Sequence, residues 1–129
     1  MTFTLAVDFD GTCVEHIYPE TGQDVPGAVE CLRKLDRAGV QIILWTMRSD
    51  QELEKAVNWF TEKGIKLFGV NNNPTQHTWT NSPKAYAHYY VDDAAIGCPL
   101  ADNPSGGRPW VDWNEVETIL AHKMNSEYL

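Results

Sequence analysis

Residues 3–16 read FTLAVDFDGTCVEH, and how this stretch is understood decides the fold. Five mostly apolar residues, Phe3 to Val7, run directly into Asp8, Phe9, Asp10, Gly11 and Thr12. The apolar run predicts a buried strand over 3–8, ended by a turn. Burying a carboxylate is costly unless it is paired or bound to a metal. Two carboxylates one residue apart on the lip of a buried strand therefore point to chemistry.

Outward from this stretch, apolar runs alternate with helix-period segments, the pattern of an α/β fold with a mainly parallel sheet. Residues 13–25 contain the turn YPETGQ and predict a small flap or hairpin. A first helix is expected from Pro26 to Gly39, with Val29, Leu32 and Leu35 on its buried face. The run VQIILWT at 40–46 reads as a central strand buried on both faces. Ser49 and Glu52 form a capping-box pattern for a second helix that ends at Gly64 and turns Leu53, Val57 and Phe60 inward. KLFGVN at 66–71 predicts a third strand, and 71–82 a polar loop. A short helical turn at Pro83 carries Lys84, YYVDD at 89–93 is a fourth strand, and a short edge strand is expected near Ala95–Cys98. Asp112 with Glu115 caps a closing helix whose Val116, Ile119 and Leu120 face inward.

A chain of 129 residues fits one domain, 1–129, with a proper core. No apolar run approaches the roughly 20 residues of a membrane helix. No secretion signal is evident at the start. Three scattered cysteines, Cys13, Cys31 and Cys98, form no C-x-x-C pair, which points to a reducing, cytoplasmic setting. Cys13 reads as packing rather than as a nucleophile. The formal net charge of −8 disfavours a nucleic-acid partner, because phosphate backbones are held by clustered Lys and Arg.

Strand-end residues are the ones that matter in such a sheet, because open parallel sheets bind ligands beyond the carboxyl ends of their strands. Asp8 and Asp10 follow the first strand, Thr46 ends the second, and Asp92 and Asp93 end the fourth. Were the first and fourth strands neighbours, the four carboxylates would share one crevice, and adjacent carboxylates repel unless something positive lies between them.

DFDGT, ILWT, SPK and YYVDD, in that order, resemble the four motifs of the haloacid dehalogenase-like (HAD) phosphohydrolase superfamily. The resemblance spans residues 3–93. It implies a three-layer Rossmann-like fold with strand order 5-4-1-2-3. It also implies Mg²⁺-dependent phosphoryl transfer through an aspartyl-phosphate. In its terms Asp8 is the nucleophile, and Asp10 is the acid and base that also offers its backbone carbonyl to the metal. Asp8, Asp92 and Asp93 would supply hard carboxylate oxygens of the kind Mg²⁺ selects. Thr46 and Lys84 would bind the phosphate, and Gly11 and Thr12 would aim backbone N–H groups at it. Neither 13–25 nor 47–83 has room for a cap domain, so the resemblance is to a capless member. That leaves the crevice open to a small phosphorylated metabolite, with a neighbouring copy of the chain as cover, or to a phosphate on a macromolecule such as a polynucleotide end.

Arg48, two residues past Thr46, is a further candidate for contact with a substrate phosphate or carboxylate, weighed against an ordinary ion pair. His16 and Tyr18 on the flap, and His77 and Trp79 in the polar loop, could flank the crevice, while Trp110 and Trp113 read as packing residues. A receiver domain, a signalling module, uses the same residue types in another order: its acidic pair comes first and its phosphorylated Asp follows the third strand. LFGVN carries no Asp at its end, which argues against that module. A non-catalytic phosphate-binding relative is the remaining alternative, and the presence of every motif residue speaks for an enzyme.

Overall fold

The computed structural model describes residues 2–128. Four strands, β1 (Thr4–Val7), β2 (Gln41–Leu44), β3 (Gly69–Val70) and β4 (Tyr89–Val91), form one parallel sheet in the order β3-β2-β1-β4. Three helices accompany it: α1 (Ala28–Arg37), α2 (Asp50–Glu62) and α3 (Trp113–Tyr128). Two further strands, β5 (Leu100–Ala101) and β6 (Trp110–Val111), pair antiparallel as a separate hairpin.

The strands are shorter than the apolar runs that encode them, but the registers fall where the runs place them. Val7 pairs with Leu44 on one side and with Val91 on the other, so β1 is central and neighbours β4. Alternation sorts the side chains by face. Leu5, Val7, Ile42 and Leu44 join the larger core cluster, whereas Ala6 and Ile43 join a smaller one. Ala28, Leu32 and Leu35 of α1, Ala56 and Phe60 of α2, and Val116 and Leu120 of α3 all pack into the larger cluster. All three helices therefore cover one face. Ala85 and Ala87, with Trp45, Phe68 and Tyr90, cover the other.

This corrects the three-layer expectation: the second face is closed by the irregular segment between β3 and β4, whose only helical piece is a 3₁₀ turn at Gln76–Thr78. The predicted helical turn at Pro83–Lys84 does not form either. The side chain of Gln76, 7% exposed, donates to the carbonyls of Ser82 and Lys84 and accepts from the N–H of Tyr86. Those backbone groups are thereby withdrawn from any helix.

The fifth strand is a second correction. Residues 95–98 form turns, with Ala95 N–H bonded to Asp92 O and Cys98 N–H to Ala95 O. Amides committed to turns cannot extend the sheet, and no described strand pairs with the outer side of β4.

Helix boundaries follow the turn chemistry. Gly39 and Gly64, both at positive φ, close α1 and α2. α1 begins at Ala28 after Gly27 rather than at Pro26. Ser49 precedes α2, but its side chain makes no capping bond. Asp112 does cap α3, accepting from the N–H of Glu115 at 3.2 Å. Val116 and Leu120 are buried as expected, whereas Ile119 is 39% exposed.

Candidate active site

At the carboxyl ends of β1 and β4 the chain leaves the sheet with Asp8 and with Asp92–Asp93. Because Val7 and Val91 are register partners, these carboxylates emerge side by side. Oxygens of Asp8, Asp92 and Asp93 lie within 4.8 Å of one another. They form the floor of a cleft of about 420 Å³, also lined by Asp10, Thr46, Arg48, His16, Tyr18 and Arg108.

The turn after β1 is held from several sides. Thr12, fully buried, donates its hydroxyl to Asp8 Oδ2 at 3.0 Å, and its own Oγ1 accepts the N–H of Asp93 at 3.2 Å. One hydroxyl thus ties the β1 end to the β4 end. Trp113 donates its indole N–H to the carbonyl of Thr12 at 2.7 Å, and Val111 N–H donates to the carbonyl of Gly11. Gly11 has φ +81°, and a Cβ there would come within 2.2 Å of Asp93 Oδ2. Only glycine lets the turn press so closely on the carboxylate cluster.

Gly11 and Thr12 do not present their N–H groups to the cleft. Gly11 N–H donates to Val14 O at 2.7 Å and Thr12 N–H to Phe9 O at 3.2 Å, so both are spent in forming the turn.

Asp10 has a fixed partner. Arg48 grips it through two hydrogen bonds, Nε to Oδ2 at 2.8 Å and Nη2 to Oδ1 at 2.7 Å. The guanidinium also donates to the carbonyls of Glu20 and Glu52 and lies over the rings of Phe9 and Tyr18. Arg48 is 2% exposed. Four of its five N–H groups are engaged, so Arg48 makes the ion pair weighed against substrate contact. Thr46 lines the cleft, its N–H bonded to Asn71 Oδ1 and its hydroxyl accepting from Arg48 N–H. The hydroxyl proton is left to donate. Asn71, at the end of β3, positions this strand end, a role its sequence position gave no sign of.

Lys84 is exposed and does not line the cleft; its Nζ rests 5.5 Å from the centre of the Tyr90 ring. His77 bonds to the carbonyl of Pro74, and Trp79 packs edge-on against Tyr86; both lie outside the cleft lining. Trp110 and Trp113 are buried packing residues, 5% and 1% exposed, and Trp113 carries the indole bond as well. Arg108 is the cleft residue that sequence reasoning missed. It sits in the loop between β5 and β6, and an exposed Arg after two glycines has no pattern that marks it.

A solved structure of a conserved protein from Bacteroides thetaiotaomicron matches this fold with a TM-score of 0.77 and 34% sequence identity, over 95% of this chain and 93% of that one. The chain belongs to the same family as that protein. No protein-family model and no curated protein matches it.

The electrostatics of this family member's cleft are those of a site short of positive charge. Burial, then the charge of Asp92, then a hydrogen bond with Asp93 push Asp8 up to about 8. Burial also raises Asp93, with Asp92 adding to it and Arg108 pulling the other way. A divalent cation would relieve this crowding, and three buried or half-buried carboxylates are the donor set that a hard cation such as Mg²⁺ takes. Cys13, buried beneath the turn, has its thiol pushed well above the ordinary range by burial first, and its Sγ donates to Asp8 O. That environment suits packing, not nucleophilic attack.

Among the described residues no helix is long and apolar enough to cross a membrane.

Proposed function

We propose that the protein is a Mg²⁺-dependent phosphatase of the HAD type, acting through an aspartyl-phosphate on a small phosphate ester. The observation that carries this reading is the gathering of Asp8, Asp92 and Asp93 at the carboxyl ends of two adjacent parallel strands, with Asp10 and Thr46 lining the same cleft. Asp8, Asp92 and Asp93, with the carbonyl of Asp10, would hold the metal. When bound it supplies charge that shields the approach of an anionic nucleophile to an anionic phosphoryl group.

Asp8 attacks phosphorus through a carboxylate oxygen, and the bond from phosphorus to the ester oxygen breaks. Asp10 hands a proton to that leaving oxygen. Arg48 uses one acceptor position on each Asp10 oxygen, which leaves further lone-pair positions on the same carboxyl for the transferred proton. In the second half, Asp10 takes a proton from water as the water attacks phosphorus. The Asp8–phosphoryl bond breaks, and phosphate leaves. Thr46 donates its hydroxyl to a phosphate oxygen. Arg48 acts as a positioning residue, holding Asp10 rather than the substrate.

A panel of phosphate monoesters assayed with Mg²⁺, for wild type beside Asp8→Asn, tests the reading. Hydrolysis by wild type and its loss in the variant are expected. Equal activity in both proteins, or inertness of both over a broad panel, would overturn it.

A further inference from the structure

Two arginines line the cleft, and they stand in opposite states. Arg48 is buried, with four of its five N–H groups bonded within the protein. The side chain of Arg108 is 61% exposed, and its Nη2 stands 4.0 Å from Asp93 Oδ2, outside hydrogen-bond distance. Its Nη1 is 3.4 Å from both ring nitrogens of His16, a long contact. Its donors are thus available at the rim of an acidic cleft.

The loop that carries Arg108 is built onto the flap. Glu15 accepts from Asn103 Nδ2 at 2.7 Å, while its other oxygen accepts from Gln23 Nε2 at 3.0 Å. Asn103, 7% exposed, accepts in turn from the N–H and hydroxyl of Ser105. Gly107 closes the contact: a Cβ there would come within 2.7 Å of Glu15 Oε2 and 2.8 Å of Asn103 Nδ2. Arg108 follows that packed glycine directly. Its backbone is fixed beside His16, on the flap that also brings Tyr18 and Glu20 to Arg48.

Direction follows from this arrangement. The flap lies on the Asp10–Arg48 side of the cleft, and in the phosphatase reading Asp10 faces the leaving oxygen. The leaving group therefore passes between the flap and the β5–β6 loop, past His16 and Arg108. We infer that Arg108, with His16 beside it, binds a second anionic group on the leaving portion of the substrate, a carboxylate or a second phosphoryl group, and so selects doubly anionic esters. This inference rests on the phosphatase reading for its direction. The planar guanidinium fork suits either oxyanion, because both accept two parallel hydrogen bonds.

The test uses three phosphate monoesters of one short carbon skeleton whose far end is a hydroxyl, a carboxylate or a second phosphate. Wild type, Arg108→Ala and Arg108→Lys are compared by kcat/KM with Mg²⁺. Binding of the matching non-hydrolysable phosphonates to the same proteins is measured by calorimetry. Wild type is expected to favour one or both anionic ends over the neutral end by at least tenfold. The arm that is favoured tells carboxylate from phosphate. Arg108→Ala is expected to bring that ratio down at least tenfold, mainly through KM, with partial rescue in Arg108→Lys. A ratio near one in wild type, or a ratio unchanged in Arg108→Ala because all three esters lose equally, would overturn the inference. Tail-dependent phosphonate binding without hydrolysis of any ester would sink the phosphatase reading instead and leave the anion site standing.

Discussion

Arg48→Met removes the guanidinium and keeps most of the side-chain volume, which isolates the charge from the packing. The change leaves the Asp10 side chain, 11% exposed, without its two charged hydrogen bonds, and takes a donor from the carbonyls of Glu20 and Glu52. Glu20 is exposed and its carbonyl can turn to water, so the dominant loss is the stranded carboxylate. Breaking a buried pair from one side costs about 3–5 kcal/mol. For a chain of this length that corresponds to a fall in Tm of roughly 10–20 °C. Against a typical total stability of about 5–15 kcal/mol, such a loss leaves little margin. Urea denaturation in EDTA at low temperature measures it. Asp10→Asn strands the opposite charge and should also destabilise, and the double variant should recover about 1–3 kcal/mol relative to the sum of the singles. The pairs Lys34–Glu117 and Lys63–Asp24 serve as controls, because their side chains are 30–68% exposed and exposed pairs contribute under about 1 kcal/mol each. An Arg48→Met cost below about 1 kcal/mol, or additive singles, would refute the claim that this pair braces the turn.

The raised Asp8 gives a pH dependence whose sign can be worked out. Below about pH 4 folded and unfolded chains both hold the Asp8 proton; between there and about 8 the unfolded chain releases it while the folded, metal-free chain keeps it. Metal-free stability therefore falls as pH rises across that window. Mg²⁺ needs the ionised carboxylate, so the Tm gained on adding Mg²⁺ should be larger at pH 8 than at pH 6. Differential scanning calorimetry with Mg²⁺ and with EDTA at the two pH values checks this, and an equal or smaller gain at pH 8 contradicts it. Gly11→Ala puts a methyl group into Asp93 at a backbone angle that L-residues resist. It should cost about 2 kcal/mol or more and abolish the Mg²⁺-induced rise in Tm; a variant as stable as wild type with an intact metal response would disprove the close-approach role.

The sequence made the cleft floor legible because each acidic residue there is bracketed by an apolar strand. The run Phe3–Val7 places Asp8, Tyr89–Val91 places Asp92 and Asp93, and both strands must be interior to be that apolar. What local pattern cannot carry is pairing at a distance. Arg48 and Asp10 lie 38 residues apart, and nothing in the neighbourhood of either marks the other as its partner. Periodicity likewise shows that Leu32, Phe60 and Val116 are buried but not that they share one face of the sheet. The closure of the second face by Gln76 and its backbone partners depends on a single side chain in a polar loop. Arg108 owes its place to Glu15, Asn103 and Gly107, a set of contacts reaching from the flap to the far hairpin.

The four carboxylates of the cleft are served by two different sources of positive charge, and the division follows their chemistry. Asp10 is given an internal cation, Arg48, fixed by four hydrogen bonds and two aromatic faces. In the proposed mechanism Asp10 would shuttle protons, and a fixed partner would keep it in one position while it does so. Asp8, Asp92 and Asp93 are given none at hydrogen-bond distance, since Arg108 stops 4.0 Å short of Asp93. The chain keeps them together instead by uncharged means: the shared hydroxyl of Thr12, the glycine at 11 and the indole bond from Trp113. Arg108 offsets the charge of Asp93 only in part, so burial and the neighbouring carboxylates still raise Asp8. In the proposed reading an exchangeable cation would relieve that repulsion. The side chain of Asp10, only two residues from Asp8, lies outside the three oxygens that gather and is held by Arg48 instead.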